Sequence, residues 1–342
     1  MASSDDPVRA ALDAIDSPGT RSGQTSAPGT QVPGLSLRDH DRYVSLTMEF
    51  RCNLKCVHCM IEGTMDRLAP TPDATFERVL ADQRDTGRWD GLVLTGSEVT
   101  LRRDLPELAR KARAAGFKHI RIQTHGMALG RPGFADRLVE AGIDEFFVSV
   151  AGSDRESHDR ITQVPGAWDK MMAGLQHLER YDHVRIITNT VVTTESFRLL
   201  PDLVAALGHL KNLVQMEFWN FFPMAETDEK GLAARHADIR PYLLAAIEAC
   251  RARKRFVEVK HFPQCLLGAY QDALVNAQPM LVIDPEFWTE FDRNGFHACP
   301  HRAVCPSTEC LGLTEAYRAK FGDERGLLDP SRVVLPDRGA AT

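Results

Sequence analysis

The sequence predicts an α/β fold: an incomplete (β/α)6 barrel with a small C-terminal extension that contains cysteines. Three observations carry this. Apolar, β-branched runs alternate with helical patterns from Tyr43 to about Phe221. Their connections are short, which implies parallel strands joined by right-handed crossovers. The strand–helix units number six, fewer than a closed TIM barrel needs, so the barrel is TIM-like but open.

At 342 residues the chain is long enough for one such barrel and an appendage. Hydrophobic residues at 43% and charged residues at 26% match a soluble globular protein. A formal charge of −6 argues against a general nucleic-acid binder. No apolar run approaches the roughly 18 residues of a membrane span. The N-terminus has no charged-then-apolar export pattern, so a cytoplasmic location is expected.

Residues 1–40 are rich in Ser, Gly, Pro, Thr and Asp without a period, and are expected to form a disordered tail. Residues 41–225 are assigned to the barrel, 226–330 to a C-terminal helical region with cysteines, and 331–342 to a tail. Strands are expected at 43–50, 91–95, 119–124, 145–150, 184–192 and 212–219. The first helix has Phe76, Val79 and Leu80 on one face. The second opens with Asp104-Leu105-Pro106-Glu107, carries Leu108 and Ala112, and stops at Gly116. The third carries Phe134, Leu138 and Val139 and stops at Gly142; the fourth carries Trp168, Met172 and Leu175; the fifth carries Leu203, Leu207 and Leu210. A further helix over 241–255 puts Leu243, Ile247 and Cys250 on one face, so Cys250 reads as core. Arg251, Arg253, Lys254 and Arg255 then complement that helix's C-terminal dipole.

In a parallel barrel the chemistry gathers at the C-terminal ends of the strands. Directly after the first strand stands Arg51-Cys52-Asn53-Leu54-Lys55-Cys56-Val57-His58-Cys59. Three thiolates on one short loop can hold three irons of a [4Fe–4S] cube and leave the fourth open to a ligand. Eight cysteines in two groups, in a chain without an export signal, read as metal chemistry in a reducing compartment, with a disulfide framework as the alternative.

This C-x3-C-x2-C array, following a first strand, resembles the radical S-adenosylmethionine (SAM) superfamily. The resemblance implies a partial barrel, a [4Fe–4S] cluster on Cys52, Cys56 and Cys59, and SAM chelating the open iron. Gly96-Ser97-Glu98-Val99 stands where the family has Gly-Gly-Glu-Pro, so Gly96, Ser97 and Glu98 are expected at the SAM amino group, with Val99 a departure. Thr124-His125-Gly126 resembles the family's Thr-Asn-Gly turn, which implies that Thr124 and His125 line the SAM pocket. Ser149, before Val150-Ala151-Gly152 and His158-Asp159-Arg160, is implied at the SAM carboxylate or ribose, although Ala151 replaces a usual Asp. Asn189 is either a ribose contact or a core hydrogen bonder. His58 occupies a position whose backbone meets adenine in the family, and Glu217, Trp219 and Asn220 are candidates for the barrel interior.

Cys299, Cys305 and Cys310 follow C-x5-C-x4-C spacing, and Cys265 can supply a fourth thiolate. Four cysteines suit a closed [4Fe–4S] site or zinc. Loosely, the region resembles the twitch and SPASM auxiliary-cluster extensions; a thiol set for a thiophilic atom such as trivalent arsenic is a further alternative. The resemblance then implies reductive cleavage of SAM to a 5′-deoxyadenosyl radical, with electrons from a flavodoxin- or ferredoxin-type protein. The substrate is expected to be a small metabolite or a peptide in natural-product tailoring. Peptide-maturing members carry an N-terminal leader-binding domain, so a peptide substrate here calls for a separate recognition protein. A non-catalytic iron–sulfur or zinc regulator is the alternative outside enzymes.

Overall fold

The computed structural model describes residues 40–62, 67–296 and 298–334. The expected N-terminal tail lies outside these residues except for His40, which is buried and pairs with Glu258 at 3.2 Å. All six expected strands form: β1 (Tyr43–Glu49), β2 (Gly91–Gly96), β3 (His119–Thr124), β4 (Glu145–Ser149), β5 (Arg185–Val192) and β6 (Leu213–Asn220). Two more join them, β7 (Phe256–Lys260) and β8 (Met280–Val282). The eight lie in one sheet in the order β7-β6-β5-β4-β3-β2-β1-β8, and every pair is parallel. The sheet curls into a half-barrel, as the strand–helix alternation predicts.

The helices cover its outer face. They are α1 (Asp73–Thr86), α2 (Leu105–Ala114), α3 (Phe134–Glu140), α4 (Arg155–Thr162), α5 (Ala167–Leu178), α6 (Leu200–Leu207) and α7 (His236–Ala252), followed by α8 (Glu286–Asn294) and α9 (Glu315–Phe321). Side chains on a strand alternate between faces, and the alternation here is apolar outward and polar inward. Leu46, Leu94, Ile122 and Phe146 are buried with the helical Leu80, Leu108, Leu138 and Leu175 in one core cluster. Each such side chain contributes about 1.5–3 kcal/mol when fully buried.

The inward set is charged and hydrogen-bonded instead. Glu145, with no exposed surface, accepts from Arg121 at 2.8 Å, Arg185 at 3.1 Å and Tyr43 at 3.2 Å. Lys260 reaches Glu258 at 3.0 Å and the carbonyls of Val275 and Ala277. Buried charges are tolerated only when paired in this way. They build a polar floor, above which the C-terminal strand ends open into a cavity. No helix among the described residues is long and apolar enough to cross a membrane.

Candidate active site

The cysteine loop leaves β1 at a register shift between Thr47 and Glu49. Glu49 secures the exit: its carboxylate accepts from the Arg51 amide at 2.9 Å and the Arg51 guanidinium at 3.0 and 2.5 Å. The far half of the loop runs along the end of α4, with Lys55 N donating to Thr162 O at 3.1 Å and Val57 N to Ile161 O at 3.0 Å. Gly96 ends β2 against this exit. Its φ is +147°, and a Cβ there would stand 1.9 Å from the Glu49 carbonyl oxygen. Only glycine fits so close an approach at positive φ.

Cys52, Cys56, His58 and Cys59 line a cavity of about 630 Å3 together with Gly96, Ser97, Thr124, His125, Ser149 and Asn189. Residues from five separate strands or the loops that follow them, distant in sequence, are thus brought to one cavity. Phe50, Phe147, Val191 and Trp219 form its apolar part. Unforeseen from the sequence, Asn53, Gln123 and Thr162 line it too.

Glu98 departs from expectation. It has no exposed surface and does not line the cavity. Its carboxylate accepts from Thr100 N at 3.0 Å, Thr124 Oγ1 at 2.7 Å and His125 N at 2.8 Å, as well as from the Thr100 hydroxyl. Both oxygens are engaged beneath the wall, so the expected contact with a ligand's ammonium group is not met in this arrangement. The β6 residues divide. Trp219 faces the cavity and donates through Nε1 to Glu217 at 2.7 Å, while Glu217 lies buried in the floor. Burial and the nearby Glu258 charge push the Glu217 carboxyl upward. Asn220 turns away, donating to His236 Nε2 and His261 O, both at 3.0 Å. The His158-Asp159 pair builds local structure: His158 Nδ1 accepts from Ala151 N at 3.2 Å, and Asp159 accepts from Gly166 N and Trp168 N.

The cavity wall suits an iron–sulfur cluster with a polar organic ligand. His58 Nδ1 and Asn189 Nδ2 are buried there with no protein partner. Buried polar atoms are costly unless something satisfies them. Burial raises the Cys56 thiol to about 12 and pushes Cys52 and Cys59 up as well. Such thiols stay protonated until a metal displaces the proton.

The four late cysteines converge although up to 45 positions separate them (265 to 310). Cys265, Cys299, Cys305 and Cys310 line one small cavity of about 20 Å3 with His301 and Asp329. Ser307 braces it: its hydroxyl bonds Gln264 and accepts from Cys310 N at 3.0 Å. Burial, then the neighbouring thiols, raise Cys265 to about 11. Cys250 stays apart in the core against Met216, as its helical position predicts. The basic run after it is structural: Arg251 pairs with Asp272 at 2.7 Å and Arg255 donates to Leu210 O at 2.7 Å. Between the two cysteine sites, the Trp219 ring lies 6.3 Å from that of His261, four residues before Cys265. His261 has φ +61°, and its amide donates to Asn276 at 2.8 Å.

The fold and the triple-thiol cavity together define a class. Residues 48–207 match the family model described as the Radical SAM superfamily. That superfamily uses a [4Fe–4S] cluster and SAM. Among curated relatives, the probable GTP 3′,8-cyclase of Methanopyrus kandleri is 31% identical over 172 residues, 50% of this chain and 54% of the relative. The AdoMet-dependent heme synthase of Methanosarcina barkeri is 29% identical over 188 residues, 53% of each chain. The chain therefore spans about half the length of the curated relatives it matches. Among solved structures, Streptococcus suis SuiB bound to its precursor peptide SuiA shares the fold with a TM-score of 0.54 at 18% identity, covering 67% of this chain and 50% of that one.

Proposed function

We propose that this chain is a radical SAM enzyme that modifies a small metabolite or a peptide. In this reading Cys52, Cys56 and Cys59 hold the SAM-binding [4Fe–4S] cluster, and Cys265, Cys299, Cys305 and Cys310 hold an auxiliary one. The observation that carries it is the opening of three thiols from one loop onto a 630 Å3 cavity whose wall leaves His58 Nδ1 and Asn189 Nδ2 unpartnered.

When bound, the cluster and SAM supply the hard chemistry, reductive C–S cleavage to a 5′-deoxyadenosyl radical that removes a substrate hydrogen atom. The chain's own residues position and exclude. Gly96 admits close approach to the backbone at the end of β2, and Ser149 and Asn189 offer polar contacts on the same cavity. Phe50, Phe147, Val191 and Trp219 keep water from the reacting carbon. Among the described lining residues Lys55 is the single Lys or Arg, too little to neutralise a triphosphate. That favours a substrate with less negative charge than the GTP in the first relative's name.

For the late site, four thiols on one cavity supply the ligand set of a closed [4Fe–4S] cluster, and structural zinc is the second reading of the same four thiols. An electron donor of the flavodoxin or ferredoxin type completes the proposal. Iron and sulfide content with EPR after anaerobic reconstitution tests it. About eight irons are expected in wild type and about four in the Cys52/Cys56/Cys59→Ala variant. Wild type holding about four irons, with none in the variant, removes the auxiliary cluster; no iron in wild type refutes the reading.

A further inference from the structure

The cysteine loop is fastened at both halves, by different means. Its second half is held by backbone bonds to the end of α4. Its first half is held by a side chain from the turn after β3, 72 positions away: His125 Nε2 lies 2.7 Å from Asn53 Oδ1. Asn53 is the residue after Cys52. The ring's orientation is determined by its other nitrogen. Met127 N donates to His125 Nδ1 at 3.2 Å, so Nδ1 is the acceptor and Nε2 carries the proton. The donor is therefore an Nε2–H and the Asn53 carbonyl oxygen accepts.

Glu98 holds this imidazole from below. Its Oε2 accepts the His125 backbone N–H at 2.8 Å and stands 3.1 Å from Nε2, while its Oε1 accepts from Thr124. His125 is 6% exposed and Glu98 not at all, so the group is shielded from competing water. Asn53 itself is exposed on its loop. A buried donor thus reaches an exposed residue beside Cys52.

We infer that His125 is a positioning residue: a neutral Nε2–H imidazole, seated on Glu98, latches Asn53 and thereby sets where the Cys52 thiol stands. Its link to a cluster rests on the function proposed above; the latch itself does not. The role differs from the ligand contact expected of this residue, and it accounts for the inward turn of Glu98, whose carboxylate is spent on the latch.

Amide hydrogen exchange on the metal-free full-length chain reads the latch directly. His125→Ala is expected to speed exchange at residues 53–57 about tenfold, about 1.4 kcal/mol, while β5 amides keep wild-type rates. Asn53→Ala, a change at an exposed position that leaves the core intact, must give the same local gain. The double variant must be no faster than either single, because both remove one interaction. His125→Gln, whose amide can still donate, must return rates to within about threefold of wild type. On the reconstituted protein, chelator-driven iron loss should quicken in both single variants. Unchanged exchange at residues 53–57 in Asn53→Ala, or additive effects in the double variant, overturns the latch. A wild type that takes up no iron overturns the functional reading instead, and the exchange result still decides the latch.

Discussion

Replacing Gly96 by alanine should damage ligand binding far more than folding. The added Cβ would stand 1.9 Å from the Glu49 carbonyl oxygen, whereas carbon and carbonyl oxygen approach to roughly 3.3 Å. The end of β2 must therefore retreat by about 1.4 Å from the exit of β1, the difference of those two distances. The residue must also hold φ +147°, a backbone cost of about 1–3 kcal/mol. Because the clash is at a strand terminus, the core behind it stays packed, and melting should fall by roughly 2–6 °C, taking about 2 °C per kcal/mol. The cavity wall moves with the strand end, however. A displacement near 1 Å at a reacting centre costs about 100-fold. SAM cleavage by the reconstituted variant should drop by that order, with SAM affinity at least about tenfold weaker. Ser97→Ala is the control. Ser97 holds the same junction through its amide, which donates to Glu49 O at 2.8 Å, and any residue keeps that bond. Isothermal titration with SAM and a 5′-deoxyadenosine assay decide the matter. A Gly96→Ala protein within about threefold of wild type in both would refute the steric reasoning.

Other outcomes are expected from the same structure. Glu145→Ala strips the partner from buried Arg121 and should cost about 3–5 kcal/mol in urea unfolding, much of it recovered by adding Arg121→Met; a loss below about 1 kcal/mol would contradict the polar floor. Burial holds His158 at about 4 and His236 at about 3, so the unfolded chain binds more protons below pH 6.5. Stability should fall as pH drops from 6.5 toward 4, by up to about 1.4 kcal/mol per pH unit for each ring, and His236→Gln should flatten the slope of a urea-midpoint series. Cys250, with no exposed surface, should resist iodoacetamide in the native metal-free chain at pH 8, while the exposed Cys52 reacts; mass spectrometry of the labelled peptides checks this.

The six central strands were legible because each is an apolar run bounded by turn residues, and because period-3.6 patterns separate them. β7 escaped notice because its inward positions are Glu258 and Lys260, and because the basic run before it looked like a continuing helix. The helix in fact stops at Ala252, with Lys254 at φ +56°. It also starts earlier than predicted, at His236, since Pro241 is accommodated inside it. β8, at three residues, is too short to show any period. At the site, the C-x3-C-x2-C spacing and the glycine that ends β2 could be read from the sequence because both are local signals, and both fall on the same cavity. The inward turn of Glu98 and the reach of His125 to Asn53 depend on distances across the barrel mouth, which no local pattern encodes. The same holds for the late thiols, whose convergence depends on the path between Cys265 and Cys299.

The position of β8 has a practical consequence. It hydrogen-bonds to β1, the strand that launches the cysteine loop, while β7 covers the other flank of the sheet. A chain shortened to residues 1–225 would retain every residue matched by the family model and still expose both β1 and β6 as bare parallel edges. Unprotected edges recruit other strands. The excised barrel should therefore self-associate, and its aggregation would report on lost edge protection, not on a defect in cluster assembly.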